Sequence, residues 1–190
     1  MHEYDTILRR SAFRNSDTRP ARSGEGLGNS KVVQKACSMS IDFEATANPF
    51  HLVKLSGSWG RERYVKETPL SHGMQSFGSN RGVSGHVFNP FMAISIGAPS
   101  ETTGEVRAFS FIYSGNYLME AEVSEMGRLR CNVGINPMGL QWHLTPGQVF
   151  STPEVVMVRS SEGLGGMSRC LLYYIPQYPL NPLLLYHKTH

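Results

Sequence analysis

Acidic side chains are scarce in this chain of 190 residues: aspartate occurs only as Asp5, Asp17 and Asp42, and charged residues of every kind make up 17%. Chemistry that sets two carboxyls across one bond, about 5 to 5.5 Å apart or wider, therefore has few residues to draw on. Asp42 lies in an alternating apolar segment where pointing outward is its natural role. Glu120 and Glu122, at i and i+2 of one strand, are expected as two charges on a solvated face. Cysteine is also sparse. Cys37, Cys131 and Cys170 lack CxxC spacing, which excludes a disulfide framework and a cysteine zinc site and leaves reduced, buried thiols as the expectation. No GxSxG elbow is present, and Gly163-Leu164-Gly165-Gly166 lacks the Lys-Ser or Lys-Thr that completes a phosphate loop. The seven histidines are dispersed; His86 and His143 fall in the strand-rich body without further ligands at metal spacing, so no metal and no cofactor is expected.

Long apolar runs are missing as well. The longest, residues 171–186, is interrupted by Pro176, Pro179 and Pro182, so no membrane-spanning helix is expected. No apolar core follows a basic start, which argues against a secretory signal and leans toward the cytoplasm without fixing a compartment. The formal charge is only +3 and the basic residues are scattered, which gives no support for a nucleic-acid partner.

What the chain does have is apolar bulk and punctuation. Hydrophobic residues make up 40%, with 9 Phe, 8 Tyr and 2 Trp, while 19 Gly and 11 Pro divide the sequence into short elements. Period-2 alternation recurs. In Ala36-Cys37-Ser38-Met39-Ser40-Ile41-Asp42-Phe43 it places Cys37, Met39, Ile41 and Phe43 on one buried face. After Asn48-Pro49, a second strand at 51–55 is expected to pair with the first as a hairpin. Segment 59–67 reads as extended, one face against protein and the other in water. The stretch 73–85, rich in Gly and Ser, reads as loop. Strands follow at 91–96 and 105–113, and a hairpin turn at Ser114-Gly115-Asn116 leads to 117–125 and 128–133, three consecutive antiparallel strands. Trp142 and Leu144 mark a short strand, Pro146-Gly147 a type II turn, and 155–158 a strand apolar enough to lie between two layers. A helix is expected from Met167 to Ile175, ended by Pro176. Antiparallel strands at this spacing describe an all-β sandwich.

Among candidate binding residues, Trp59 beside Arg61, Glu62 and Arg63 is the best local set for stacking on a pyranose, although a Trp packed between layers fits the same pattern. Arg81 and Asn89, flanking the Gly82 and Gly85 turns, suit contacts to the backbone of a neighbouring domain.

Eight collinear blocks carry a resemblance. They are Ser38-Met39-Ser40-Ile41-Asp42-Phe43; Leu55-Ser56-Gly57-Ser58-Trp59-Gly60-Arg61-Glu62-Arg63; Arg81-Gly82 through Asn89-Pro90-Phe91; Gly104-Glu105-Val106; Tyr113-Ser114-Gly115-Asn116; Gly134-Ile135-Asn136-Pro137; Thr152-Pro153-Glu154-Val155-Val156-Met157; and Glu162-Gly163-Leu164-Gly165-Gly166-Met167-Ser168. In this order they resemble the amino-terminal domain of the α-galactosidases of glycoside hydrolase family 36, over roughly residues 13–169. The resemblance implies a β-supersandwich of galactose-mutarotase-like type, here incomplete, preceding a (β/α)-barrel that performs retaining hydrolysis of terminal α-galactosyl groups. The family's catalytic aspartates belong to that barrel, and their motifs have no counterpart in this sequence, so no catalytic residue is assigned. Residues 1–30 are expected as a poorly defined start, 31–169 as part of the supersandwich and 170–190 as a tail outside the fold. The family's polar run between Arg-Gly and Asn-Pro-Phe survives here as His86 with altered neighbours, which adds His86 to Arg81 and Asn89 as an interface candidate. α-Galactosides and a homo-oligomer are the partners implied for the whole enzyme; a free-standing carbohydrate-binding or structural sandwich is the alternative.

Overall fold

A computed structural model describes residues 6–9, 11–14 and 30–174. It is a two-layer antiparallel sandwich with one helix on its outer face. The first layer is a six-stranded sheet in the order β1 (Thr6–Arg9), β14 (Glu154–Ser160), β9 (Val106–Ile112), β8 (Phe88–Ile96), β5 (Phe50–Ser58) and β6 (Arg61–Pro69). The second layer orders β10 (Tyr117–Val123), β11 (Leu129–Ile135) and β4 (Ala36–Phe43), with β7 (Gly73–Ser79) running along β10. Two short ladders complete the strands: β3 (Lys31–Val33) pairs with β12 (Trp142–Leu144), and β2 (Ala12–Arg14) with β13 (Val149–Ser151). The helix α1 spans Gly163–Tyr174.

Alternation along the first sheet sends residues to two different cores. Leu52, Met92, Ile94, Phe109, Phe111 and Val155 face Met39, Phe43, Tyr117, Met119, Leu129 and Val133 of the second layer. Their neighbours Val53, Ala93, Ala108, Val156 and Val158 face outward and are covered by Met167 and Cys170 of α1. The alanines matter here, because a helix can lie close on a sheet only where side chains are short. This explains why β14 reads as continuously apolar: both of its faces are buried.

The hairpin expected between 36–43 and 51–55 does not form. β4 and β5 lie in opposite layers, and the chain crosses between them so that Phe43 and Phe50 meet edge to face with centroids 6.0 Å apart. Both strands present their apolar face to the same core, which two layers satisfy and a flat hairpin does not. The turn at Ser114-Gly115-Asn116 is likewise a crossover, from β9 in one layer to β10 in the other; of the three consecutive strands expected, only β10 and β11 pair. Stretch 73–85 is loop only in its second half. Its first half forms β7, and Gly78 is the residue that permits this, since a Cβ there would strike the carbonyl of Tyr117. The turn at Pro146-Gly147 has Gly147 at φ 81 with the Gln148 N–H donating to the Thr145 carbonyl at 3.1 Å, as type II requires.

The helix begins four residues before its expected start. The glycines that argue against a helix are the contact surface of its first turn. The Gly163, Leu164 and Gly165 N–H groups donate to the carbonyls of Gly104, Ser100 and Glu101 at 3.0, 2.8 and 2.9 Å. A neighbouring loop thus replaces the usual side-chain cap. The helix also passes the boundary drawn at residue 170 and carries Cys170 into the core at 3% exposure. Residues 175–190 and most of 1–30 lie outside the described residues. The one described helix of this chain is too short and insufficiently apolar to cross a membrane.

Candidate functional site

β5 and β6 form a hairpin whose tip carries Trp59, between Ser58 and a left-handed Gly60 at φ 72. Trp59 is 87% exposed, so the packed alternative is wrong: among the described residues no second layer reaches the tip. The expectation that 59–67 has one face against protein also fails, because β6 is the last strand of its sheet and is exposed on both faces along nearly its whole length.

Next to this hairpin lies the loop 80–87. The Gly57 N–H donates to the Val87 carbonyl at 3.1 Å, the Ser84 N–H to the Ser114 carbonyl at 2.7 Å, and the Gly82 N–H to Asn116 Oδ1 at 2.6 Å. Loop and crossover therefore brace one another. Arg81 and His86 are exposed and line a hollow of about 310 Å³. A second, more open hollow of about 380 Å³ lies along Ser56, Ser58, Arg61, Tyr64 and Lys66, and the two share Val87 and Phe88. The structure thus brings Trp59, Arg81 and His86 to one end of the sandwich.

Asn89 is not part of that end. One residue further along β8 it turns to the outer face of the sheet and lines a groove of about 570 Å³ between β5, β6, β8 and α1. The groove is mostly apolar, walled by Val53, Leu55, Val65, Phe91, Leu164 and Leu171. Asn89 Oδ1 is buried there, and among the described residues nothing donates a hydrogen bond to it. An amide oxygen in that position costs about 1 to 3 kcal/mol unless something donates to it.

A hollow of about 260 Å³ on the second layer gathers Asp42, Glu44 and Glu122 with Arg128 and Arg130. Arg130 bonds both Asp42 oxygens, Nε to Oδ1 at 2.7 Å and Nη2 to Oδ2 at 2.8 Å, and Arg128 reaches Glu44 at 3.2 Å. The Arg130 hydrogen bonds hold the Asp42 carboxyl below its ordinary range. A carboxylic acid catalyst needs the opposite setting, an apolar one that keeps its proton.

Glu120 differs from its expected role. It is 8% exposed, and its Oε2 accepts from Lys35 Nζ at 3.2 Å and Asn132 Nδ2 at 3.3 Å. Alternation alone missed this, because Lys35 lies far away in sequence and comes close only through the pairing of β4, β11 and β10. Cys37 lies near the same group, and burial raises its thiol. Among the described residues no three His, Cys, Asp or Glu side chains gather in a way that would hold a metal ion.

Comparison with known proteins agrees with this architecture. Residues 1–145 match the profile described as the Glycosyl hydrolase family 36 N-terminal domain. The α-galactosidase AgaA of Geobacillus stearothermophilus is 46% identical over 155 residues, 82% of this chain and 21% of that protein. A probable α-galactosidase G of Emericella nidulans is 38% identical over 89% of this chain and 21% of its own length. The crystal structure of AgaA superposes on 86% of this chain with a TM-score of 0.77 and 42% identity, and that of an α-galactosidase from Lactobacillus brevis does so with a TM-score of 0.77 and 33% identity. Variants of AgaA have been solved with stachyose and with raffinose. The chain spans about a fifth of the length of the curated relatives it matches.

Proposed function

The chain belongs to glycosyl hydrolase family 36, as its N-terminal β-sandwich domain, and from that premise we propose that it serves an α-galactosidase as a non-catalytic scaffold. The observation that carries this reading is the outer groove. An apolar trough of about 570 Å³, walled by Val53, Leu55, Val65, Phe91, Leu164 and Leu171, suits a domain that packs against another one. Asn89 lines that trough, and Arg81 and His86, at the end of the sandwich, offer the neighbour polar contacts. The activity belonging to the whole protein is the hydrolysis of terminal α-D-galactosyl groups with retention. Its substrates are α-galactosides, and it works as a homo-oligomer. The acids gathered on the second layer support a non-catalytic role here, since Asp42 and Glu44 are tied to guanidinium groups.

A second reading is supported by one observation: Trp59 stands 87% exposed at a hairpin tip, with Arg61 beside it along the adjoining hollow. An indole so placed stacks on the apolar face of a galactosyl ring, and the neighbouring charges bond its hydroxyls. The two readings separate in one pair of measurements. The chain is expected to give no turnover of a chromogenic α-galactoside, and turnover abolished by replacing Asp42 overturns the scaffold assignment. Titration with raffinose, followed by indole fluorescence, reports the second reading; a response lost in Trp59→Ala with unchanged circular dichroism supports it, and a flat titration removes it.

A further inference from the structure

The core-side face of the β5 and β6 hairpin runs past the end of the second layer. Leu52, opposite Thr68, still packs in the core. Beyond it on the same face Lys54 stands opposite Lys66, Ser56 opposite Tyr64 and Ser58 opposite Arg61, with the bulge at Gly57 taking up the extra residue of β6. All of these but Lys54 line the hollow of about 380 Å³. Lys54 reaches its wall, since its Nζ lies 5.5 Å from the ring centroid of Phe88 and equally far from that of Phe77.

Two lysines directly opposite on one face of a sheet repel, because their Cβ atoms stand about 5 Å apart. A carboxylate would relieve them, and none lines the hollow. Glu67 belongs to the other face, where its Oε1 lies 2.9 Å from His51 Nδ1. Among the described residues neither lysine nor Arg61 has a carboxylate partner, and the hydroxyls of Ser56, Ser58 and Tyr64 have no hydrogen-bond partner. Arg81 and His86 line the adjoining hollow across Val87 and Phe88, which adds to the positive potential at this end of the sandwich. The two phenyl rings meanwhile hold the Lys54 ammonium from its apolar side. Three cations and three hydroxyls with no acid among them suit a phosphate dianion, whose oxygens accept from ammonium, guanidinium and hydroxyl alike.

We infer that this hollow binds a phosphate group, free or carried as a monoester on a small sugar, through Lys54, Lys66 and Arg61. The inference goes beyond the scaffold reading and beyond the stacking one, which concerns a neutral sugar ring at Trp59.

Isothermal titration calorimetry of the whole chain near neutral pH and at low ionic strength tests it, with inorganic phosphate, galactose 6-phosphate and galactose as the three titrants. Phosphate is expected to bind with a Kd of about 1 mM or tighter, and galactose to give no heat. Lys66→Gln and Arg61→Gln each weaken phosphate binding by about tenfold. Lys31→Gln removes the same charge in the separate ladder of β3 and β12, and leaves the affinity within about twofold. Folding is controlled within the set. Lys66→Gln relieves the repulsion with Lys54, so its melting temperature without phosphate is unchanged or raised, while the rise that phosphate gives the unaltered chain is lost. An ester that binds tighter than phosphate identifies a phosphorylated sugar as the ligand; one that binds no tighter identifies free phosphate. No heat with either anion overturns the inference, as does galactose binding equal to that of its phosphate. An affinity lowered as much by Lys31→Gln as by Lys66→Gln also overturns it, because the attraction is then diffuse. So does a phosphate-induced rise in melting temperature that Lys66→Gln retains, which is the general effect of an excluded salt.

Discussion

The Tyr117 hydroxyl donates to the Phe88 carbonyl at 2.7 Å, across the two layers of the sandwich. Tyr117 is fully buried, and burial raises its phenol well above its ordinary value, which favours the protonated, hydrogen-bond-donating form. Phe88 begins β8 and walls both hollows near Trp59. Tyr117→Phe keeps the ring and removes the donor, leaving a backbone carbonyl without its partner. The expected loss is about 1 to 2 kcal/mol in urea unfolding, at unchanged m-value. A loss under a few tenths of a kcal/mol means that water reaches the carbonyl.

The start of α1 gives a second expectation. Gly163 stands at φ 66, and a Cβ there would strike the carbonyl of Ser100 and come within 2.9 Å of the Thr103 nitrogen. Gly163→Ala meets both the left-handed backbone cost, about 1 to 2 kcal/mol, and a clash that disturbs the hydrogen bonds closing the first turn. About 2 to 4 kcal/mol of lost stability is expected by thermal melting. Gly139→Ala is the control: also left-handed, at φ 76, but with nothing within 4 Å of the added methyl, it is expected to cost only the backbone part.

These two sites show what could be read from the sequence and what could not. Alternation placed β4, β10 and β11, because each buries mainly one face and period 2 is its direct imprint, and apolar content placed the later part of β8, β9 and β14, whose two faces are both buried. It did not assign strands to layers. Phe43 and Phe50 look like hairpin neighbours until the core they share is known to lie between two sheets. The glycines at 163–166 looked like loop because propensity counts the cost of glycine in a helix, while the gain, backbone approach to the loop at 100–104, is tertiary. Trp59 was legible as a candidate, and its exposure was not, since strand alternation says nothing about a hairpin tip beyond the sheet. Asn89 was singled out for its place near the glycine turns; its buried, undonated oxygen depends on the groove formed with α1.

Thiol reactivity separates the three cysteines. Burial pushes the Cys131 thiol up to about 12, and Cys170 is 3% exposed under the sheet. Cys37 is half-buried. Ellman's reagent at pH 8 is expected to modify Cys37 alone in the folded protein, slowly because burial raises its thiol too, and all three cysteines in denaturant. Cys37→Ser then leaves a folded protein inert to the reagent. Rapid modification of two thiols without denaturant contradicts the packing of α1 on the sheet.

Acid stability turns on Glu105, just before β9. Burial pushes its carboxyl up, but hydrogen bonds from Arg159 and Arg107 outweigh burial and hold it below its ordinary range. Arg107 Nη2 lies 2.8 Å from Oε1 and Arg159 Nη2 3.2 Å from Oε2, so one carboxylate joins the start of β9 to the end of β14. The sign follows from linkage. A group whose folded value is depressed stabilises the fold at pH above its unfolded value, and that contribution fades as the pH falls through the folded value. Stability is therefore expected to be level near neutrality and to fall through the acid range where carboxylates titrate. Glu105→Gln keeps the shape and removes the charge. It is expected to lower stability at pH 7 and leave it nearly unchanged at the acid end, so the two unfolding curves converge as pH drops. Asp42, held down by Arg130, titrates in the same direction but keeps 59% of its side chain exposed, so Asp42→Asn should change the curve far less. Equal effects of the two variants would place the Glu105 cluster in water rather than between strands.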